Sequence, residues 1–552
     1  MSGLLLLALI VFQFYSEAQD LSGISKNPTS AHGNLNSTAV VYNASGIEQR
    51  KAPFTYILSG DLDVSLKGIH LPFSFVYSDR NKDFRQPFNQ FGVSPHYKWL
   101  TVHLGYRNLR YSEFVLGGHT VFGAGLEMNP GLFRFGVIYG RLKRQTNYAV
   151  KIDNPLQDTS NTFKRKMLAF KIGVGNDNTY VDLVVLKASD DSTSAGYIRE
   201  ASSEFPAENL AAGLTTRIKL APQLHFEGEG SGSVYTSNTG SVIPVTDEFP
   251  LITVNGSTNL FLAFRGSMIY RSKKGLRLSL NYRRIDPGYK TMGIYFINND
   301  VENITFSTAF RLLKKRMSVN GSIGKERNNL KSERNATTGK TIGSLNISYD
   351  PVRYFGILFT YSNYTINQSP GRVQISDSIK LYQTNRTLVL APHFQFSSKN
   401  GNLIHSINFS YSRMGLRDLN PNTSNFSDFT TDNLILMYNL GLTRQRLNLL
   451  LGLNSNKVLM ALGTSRNNGF TAGVSQNYLQ NRLNASFNIN FTKSDNSVQQ
   501  SLVVTPSLSG SYRAGRHHNF KLRLYLISNR SNDSEIDPIL EETGDFSYVF
   551  TF

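Results

Sequence analysis

The sequence predicts an all-β chain: a transmembrane antiparallel β-barrel of about 22 to 24 strands, with short periplasmic turns and long extracellular loops. Three observations carry that expectation. Segments of about ten residues alternate apolar and polar, their connections are alternately tight and long, and the last segment sets aromatic residues on a single face.

The alternation is clearest late in the chain. Between Arg482 and Thr492, Leu483, Ala485, Phe487, Ile489 and Phe491 fall on one face, and Asn484, Ser486, Asn488 and Asn490 on the other. Leu276, Leu278, Leu280 and Tyr282 oppose Arg277, Ser279, Asn281 and Arg283 in the same way, as Leu447, Leu449, Leu451 and Leu453 oppose Asn448, Leu450, Gly452 and Asn454. A soluble β-sandwich alternates too, but a row of large apolar side chains facing water is unfavourable, so the polar face is the inner one. Pro392 and Pro506 interrupt strand-like runs, where proline lacks the N–H that a ladder needs.

Tight turns recur at Asn129-Pro130-Gly131, Asn176-Asp177-Asn178, Lys273-Lys274-Gly275 and Asn400-Gly401, where Gly and Asn tolerate positive φ. Longer Ser/Asn/Thr/Asp-rich stretches lie between them, at 146–162, 189–209, 236–258, 363–382 and 414–431. Counted from Phe54, this pattern gives about 24 strands, an even number as bacterial single-chain barrels require.

Composition agrees. The 552 residues include 36 Phe and 27 Tyr against one Trp, and 18% are charged. Mean hydropathy is -0.26, which excludes a bundle of helices that each need ~20 consecutive apolar residues, yet suits a wall in which only every second residue faces lipid. Cysteine is absent, so neither disulfides nor thiolate metal sites are available.

Residues 1–18 read as a signal peptide. Leu4 to Phe14 is the one long apolar run, and Ser16-Glu17-Ala18 is a small-x-small cleavage site, although the n-region has no Lys or Arg. Residues 19–53 read as a polar periplasmic or luminal tail, and 54–552 as the barrel. Within it, 54–95 reads either as the first wall strands or as an inner hairpin or plug-like segment. Even counted with the tail, that segment is too short for the globular plug of an energy-coupled receptor. At the other end Phe546, Tyr548, Phe550 and Phe552 share a face, which looks like the terminal-strand signal by which the barrel-assembly machinery recognises its clients. The expected location is the cell outer membrane, with lipid and lipopolysaccharide as surroundings.

Two stretches carry a resemblance. PFNQFGVSPHYKWLTVHLGYRN from Pro87, continuing through LGGHTVFGAGLEMNPGLFRFGVIYGRL to Leu142, and YRRIDPGYKTMGIYFINNDVENI from Tyr282 to Ile304 resemble poorly characterised porin-like outer-membrane barrels of Bacteroidota. The resemblance implies compartment and class, and brings no catalytic residue.

Fifty-eight Lys and Arg against 39 Asp and Glu give a net charge of +19. By parity Arg134, Lys171, Arg217, Lys219, Arg265, Arg277, Arg283, Lys521 and Arg523 face the lumen, opposed by Glu127, Asp182, Glu227 and Glu229. Either these cations set an anion-favouring field, or they pair across strands and meet anionic lipopolysaccharide at the rim. Dispersed charge behind an export signal argues against nucleic acid. Two loops are candidates for an inward constriction or a docking surface: 108–118, with Arg110, Tyr111 and Phe114, and the loop carrying Asp286, Tyr289 and Tyr295. The alternative is that these strands extend beyond the membrane with an aromatic girdle.

His103 and His119, on paired strands of luminal parity, are the one candidate for chemistry. No Ser or carboxylate accompanies them at a recognisable spacing, and no phosphate loop, HExxH or dinucleotide motif occurs. The expectation is therefore a channel or transporter for small hydrophilic solutes, anionic ones if the luminal cations set the field, without enzymatic activity, cofactor or metal. The alternative is a scaffold or secretion-associated barrel that docks a periplasmic or surface partner.

Overall fold

The structure, a computed structural model, describes residues 29–66, 69–79, 90–145, 162–194, 205–243, 251–372, 380–461, 463–496, 499–533 and 535–552. The expected signal peptide lies outside them, as does nearly all of the 146–162 stretch. In lipid every backbone N–H and C=O needs a partner within the protein. Twenty-seven strand segments meet that requirement as one antiparallel sheet closed on itself.

Closure is made by β1 (Ser30–Ser45), which pairs with β2 (Phe54–Leu66) on one edge and β27 (Ile539–Thr551) on the other. Gly33 and Phe552 exchange two further backbone hydrogen bonds, of 3.0 and 3.1 Å, at the end of that seam. Residues 30–45 are therefore wall, not tail. Their outward positions carry Leu35, Ser37, Ala39 and Val41, too small and mixed for the alternation to be visible in the sequence.

The segment 54–95 is also wall, to the extent that it is described. β2 pairs with β3 (Ile69–Ser78), and β3 pairs with two short pieces, β4 (Gln90–Val93) and β5 (His96–Tyr97). Both pieces pair on their other side with β6 (Leu100–Arg110). They are one stave broken at Ser94-Pro95, where proline cannot donate, and the barrel accordingly has 26 staves. The added N-terminal strand and this broken stave account for the excess over 22 to 24.

The faces sort as the alternation predicts. Leu451, Leu453, Phe470, Phe487 and Phe491 are exposed on the outside, next to one another across the ladders. Inside, hydroxyls and amides pair across strands: Ser322 with Ser344 at 2.7 Å, Thr360 with Asn346 at 2.9 Å, and Ser486 with Ser509 at 2.7 Å. Phe546, Tyr548 and Phe550 lie on the outward face of β27, opposite Leu522, Phe520 and His518. Around Pro392 and Pro506 the ladder skips positions while the strands run on, from Tyr382 to Ser397 and from Gln500 to Ala514.

The tight turns fall at one end of the barrel. Gly131 and Gly275 supply φ of 62° and 88° there, while Leu313-Lys314-Lys315 and Leu479-Gln480-Asn481 turn through positive φ without glycine. The other end carries most of the long connections, although 461–462 and 496–499 are short. Strand length varies strongly. Nine residues form β14 (Arg277–Ile285) and 17 form β17 (Ala336–Val352), whereas crossing a bilayer takes about 9–11, so the wall stands tallest around β17.

The closure admits a direct check in a chain without cysteine. Thr38 Oγ1 and Ser547 Oγ lie 3.1 Å apart across the β1/β27 seam. The pair Thr38→Cys and Ser547→Cys is expected to oxidise to an intramolecular disulfide in the folded protein, seen as a mobility shift on a non-reducing denaturing gel. Persistent free thiols in folded protein would contradict the closure.

Candidate functional site

Two loops at the long-connection end fold into the barrel and dock on its inner wall. The first, 111–116, follows β6 and leads into β7 (Gly117–Met128); the second, 286–300, joins β14 to β15 (Val301–Leu312). Phe114, Val115 and Leu116 are 0% exposed, and Tyr289 and Met292 are nearly so. They pack with inward residues of the wall in two clusters, one with Ile138, Ala169, Val184, Leu186 and Ala211, the other with Ala263, Ile285 and Val301. Burying each large apolar side chain contributes roughly 1.5–3 kcal/mol, enough to hold loops that own little backbone ladder.

The anchor is polar. Glu229, 2% exposed on the inward face of β12 (Leu224–Thr236), accepts hydrogen bonds from Ser112 Oγ at 2.5 Å and the Phe114 N–H at 2.8 Å through one carboxylate oxygen. Its other oxygen takes Arg265 at 3.1 Å, and Arg265 also reaches Glu113 at 2.8 Å. Ser112 Oγ in turn accepts from the Val115 N–H at 2.9 Å, shaping the turn of the loop.

The second loop locks onto the first. Tyr289 donates its hydroxyl to Phe114 O at 2.8 Å and lies 3.0 Å from Ser231 Oγ. Thr291 Oγ1 lies 3.1 Å from Asn209 Oδ1 and 3.2 Å from Val115 O, Met292 N–H donates to Asn209 Oδ1, and Gly117 N–H donates to Gly293 O. A Cβ on Gly293 would stand 2.1 Å from Val115 O, so only glycine permits this approach. Asp286 closes the loop's base by accepting from the Leu262 N–H at 3.0 Å. Burial pushes the Tyr289 hydroxyl up to about 12, aided by the Glu229 charge and opposed by the Ser231 hydrogen bond. Burial and the nearby Glu127 likewise raise Tyr111.

All six loop residues singled out in the sequence belong to this assembly or its edge. Tyr111, Phe114, Asp286 and Tyr289 are inside it. Tyr295 stacks on His119 at 3.8 Å between ring centroids, and Arg110 lies 3.7 Å from Glu113 beside a cavity of about 240 Å³ that Arg283 and Phe296 also line. The sequence reading missed Ser112, Asn209 and Thr291. It also passed over the signal that could have revealed them: small residues at successive inward positions, Gly136, Ala169, Ala211 and Gly213, leave room for Tyr111 and Val115.

Of the nine expected luminal cations, five are in ion pairs. Arg134 holds Asp182 through two bonds of 2.8 and 3.0 Å, Lys171 lies 3.6 Å from Glu127, Arg217 lies 3.0 Å from Glu227, Arg265 takes Glu229, and Arg283 lies 3.7 Å from Glu113. Lys219, Arg277, Lys521 and Arg523 are exposed on the inner face and form no ion pair within 4 Å among the described residues, although Asp545 stands across the ladder from Arg523. His103 and His119 are not brought together. Each is buried, His103 bonds Ser94 Oγ at 2.8 Å, and its cross-strand neighbour is Gly125, six residues or about 20 Å along the strand from His119.

Comparison with known proteins finds no matching family model and no matching curated protein. Among solved structures the chain is similar to the translocation pore of the P pilus usher PapC, at 12% identity and TM-score 0.39 over 95% of this chain and 99% of that one. It is similar to OccAB2 of Acinetobacter baumannii, at 8% and 0.32 over 95% and 98%, and to the outer membrane protein opdK of Pseudomonas aeruginosa, at 11% and 0.32 over 67% and 98%.

Two substitutions test the docking. Glu229→Ala leaves the buried Ser112 hydroxyl without its acceptor, at about 1–3 kcal/mol, and the Phe114 N–H with only Ser112 Oγ at 3.2 Å, and is expected to raise amide hydrogen exchange and protease cleavage within 111–116 while the barrel persists. Gly293→Ala is expected to separate the loops, exposing 286–300 to the same protease. Unchanged protection in both variants would contradict the docking described.

Proposed function

We propose that this chain is a porin-like channel of the outer membrane for small hydrophilic, anionic solutes, with the two docked loops as its constriction. The observation that carries the reading is the division of the interior. Among the described residues the two clusters of buried apolar side chains lie between Leu109 and Val301, in the sector where the loops dock. Beyond it the inward positions are mostly Ser, Thr and Asn, as at Ser322, Asn346, Ser410 and Asn488, with Ile435, Met437 and Leu450 among them. Where the two meet, a cavity of about 380 Å³ is lined by Arg277, Ser279, Ser307, Asn320, Ser322 and Asn346. A guanidinium without a carboxylate partner, among hydroxyl and amide groups, suits a hydrated anion held weakly enough to leave. Lys521 and Arg523 add to that field from β26 (His518–Ser531).

In planar bilayers the purified protein is expected to conduct, with reversal potentials favouring anions. Replacing 287–299 by a short Gly/Ser linker is expected to raise the single-channel conductance. Arg277→Gln with Lys521→Gln and Arg523→Gln is expected to move selectivity toward cations. A protein that stays closed even without the loop would overturn the channel reading.

A second reading, docking of a surface partner, is favoured by apolar side chains exposed at the long-connection end. Phe205, Val242 and Leu251 stand 61%, 92% and 61% exposed. If it holds, mild-detergent purification recovers a companion protein that Val242→Asp and Phe205→Asp release; elution alone counts against it.

A further inference from the structure

The tall part of the wall changes chemistry on its outward face. On β19 (Tyr382–Ser397), β20 (Leu403–Asp418) and β21 (Phe429–Leu442), Leu390, Tyr411 and Leu434 form one outward row across the ladders. One step toward the loops the row is Leu388, Arg413 and Asp432, and two and three steps on come Arg386 and Arg417. Lys457 and Arg466 continue this level on the next two strands, paired in register with Asp432 and with each other. Basic side chains thus stand outside the barrel, directly above the apolar surface that faces acyl chains.

Arg386, Arg413 and Arg417 line one cavity of about 760 Å³ with Tyr361, Leu388 and Leu459. The loop residues Ser424, Asn425 and Asp428 overhang it. Arg413 lies 3.7 Å from Asp432, whereas Arg386 and Arg417 have no acidic partner among the described residues. Solvated surface arginines need no partner. These two, however, sit on the membrane-facing side, one or two residue steps from leucines that acyl chains cover, which is the depth of a lipid headgroup. Arginine forks match phosphate oxygens in pairs, and the leucines below match hydrocarbon.

We infer that this outward cavity binds the phosphorylated headgroup of an outer-leaflet lipid, with its acyl chains laid along Leu388, Leu390 and Leu434. The inference rests on the outer-membrane part of the reading above and is independent of whether the barrel conducts. The test is native mass spectrometry of the purified protein in neutral detergent, titrated with bisphosphorylated lipid A, with phosphatidylcholine, and with inorganic pyrophosphate. The expected result is one retained lipid A. Its apparent affinity falls about tenfold in the Arg386→Gln/Arg417→Gln variant and is unchanged in Arg523→Gln, whose side chain faces the lumen. Equal retention of lipid A by the double variant, or equal retention of phosphatidylcholine by the unaltered protein, would overturn the site. Pyrophosphate binding that the double variant loses while lipid A binding persists would overturn the lipid as its occupant. A heat-modifiable folded band on a semi-native gel, measured for each variant, separates loss of the site from loss of the barrel.

Discussion

A sheet in hydrocarbon cannot have an edge, because each unpaired N–H or C=O costs several kcal/mol there. The seam between β1 and β27 removes the edge, and everything else in the structure presupposes it. The seam fixes the register of the last strand, and with it the outward placement of Phe546, Tyr548 and Phe550. It also explains why a segment as polar as Ser30–Ser45 is a strand at all: its neighbours supply hydrogen-bonding edges on both sides, and a stave caught between two ladders needs little apolar surface of its own.

A barrel of 26 staves encloses more space than its inner side chains can fill, so the interior must be hydrated or occupied. This chain does both, in different sectors. Glu229 makes the occupied sector specific. A carboxylate facing an apolar cluster would be costly alone; held by Ser112, the Phe114 N–H and Arg265, it becomes the point at which the loop 111–116 has one docked position. The small inward residues of β8 (Phe133–Lys143), β9 (Lys164–Asn176) and β11 (Glu208–Ala221) then accept Tyr111 and Val115, and Gly293 admits the second loop.

The fold was legible where one face of a strand is uniformly apolar, as at Leu483–Phe491, because parity is a local property of the chain. It was not legible at Ser30–Ser45, whose strandedness comes from its neighbours, nor at Ser94-Pro95, where one stave is split in two. The sequence marked 286–300 as ordered, since Asp286-Pro287-Gly288 and the aromatics after it differ from the flanking Ser/Asn stretches, but composition alone does not choose between a loop folded inward and strands that run on beyond the membrane. The partners of the two loops were not legible, because Glu229 and Asn209 lie far from the loops in sequence and look like any luminal polar residue. The luminal cations divide in the same way: parity places all nine, but only three-dimensional proximity shows which ones an acid has neutralised.

That division changes what the net charge of +19 means. Arg134, Lys171, Arg217, Arg265 and Arg283 face acids and act as fixed cross-links between staves and loops, so they contribute little to a field at the centre of the lumen. Lys219 and Arg277, and across the barrel Lys521 and Arg523, stand near the tight-turn end of their strands, one to seven residues from the turns. Arg386, Arg413 and Arg417 stand outside the wall near the opposite end. These seven cations are thus sorted by height and by face. Inside, they lie beyond the docked loops as seen from the long-connection end; outside, they lie at the level where the wall leaves the apolar band. A net charge spread at random would do neither, and under the proposed function and the inferred lipid site the two placements act on different anions, a solute in the lumen and a headgroup on the wall.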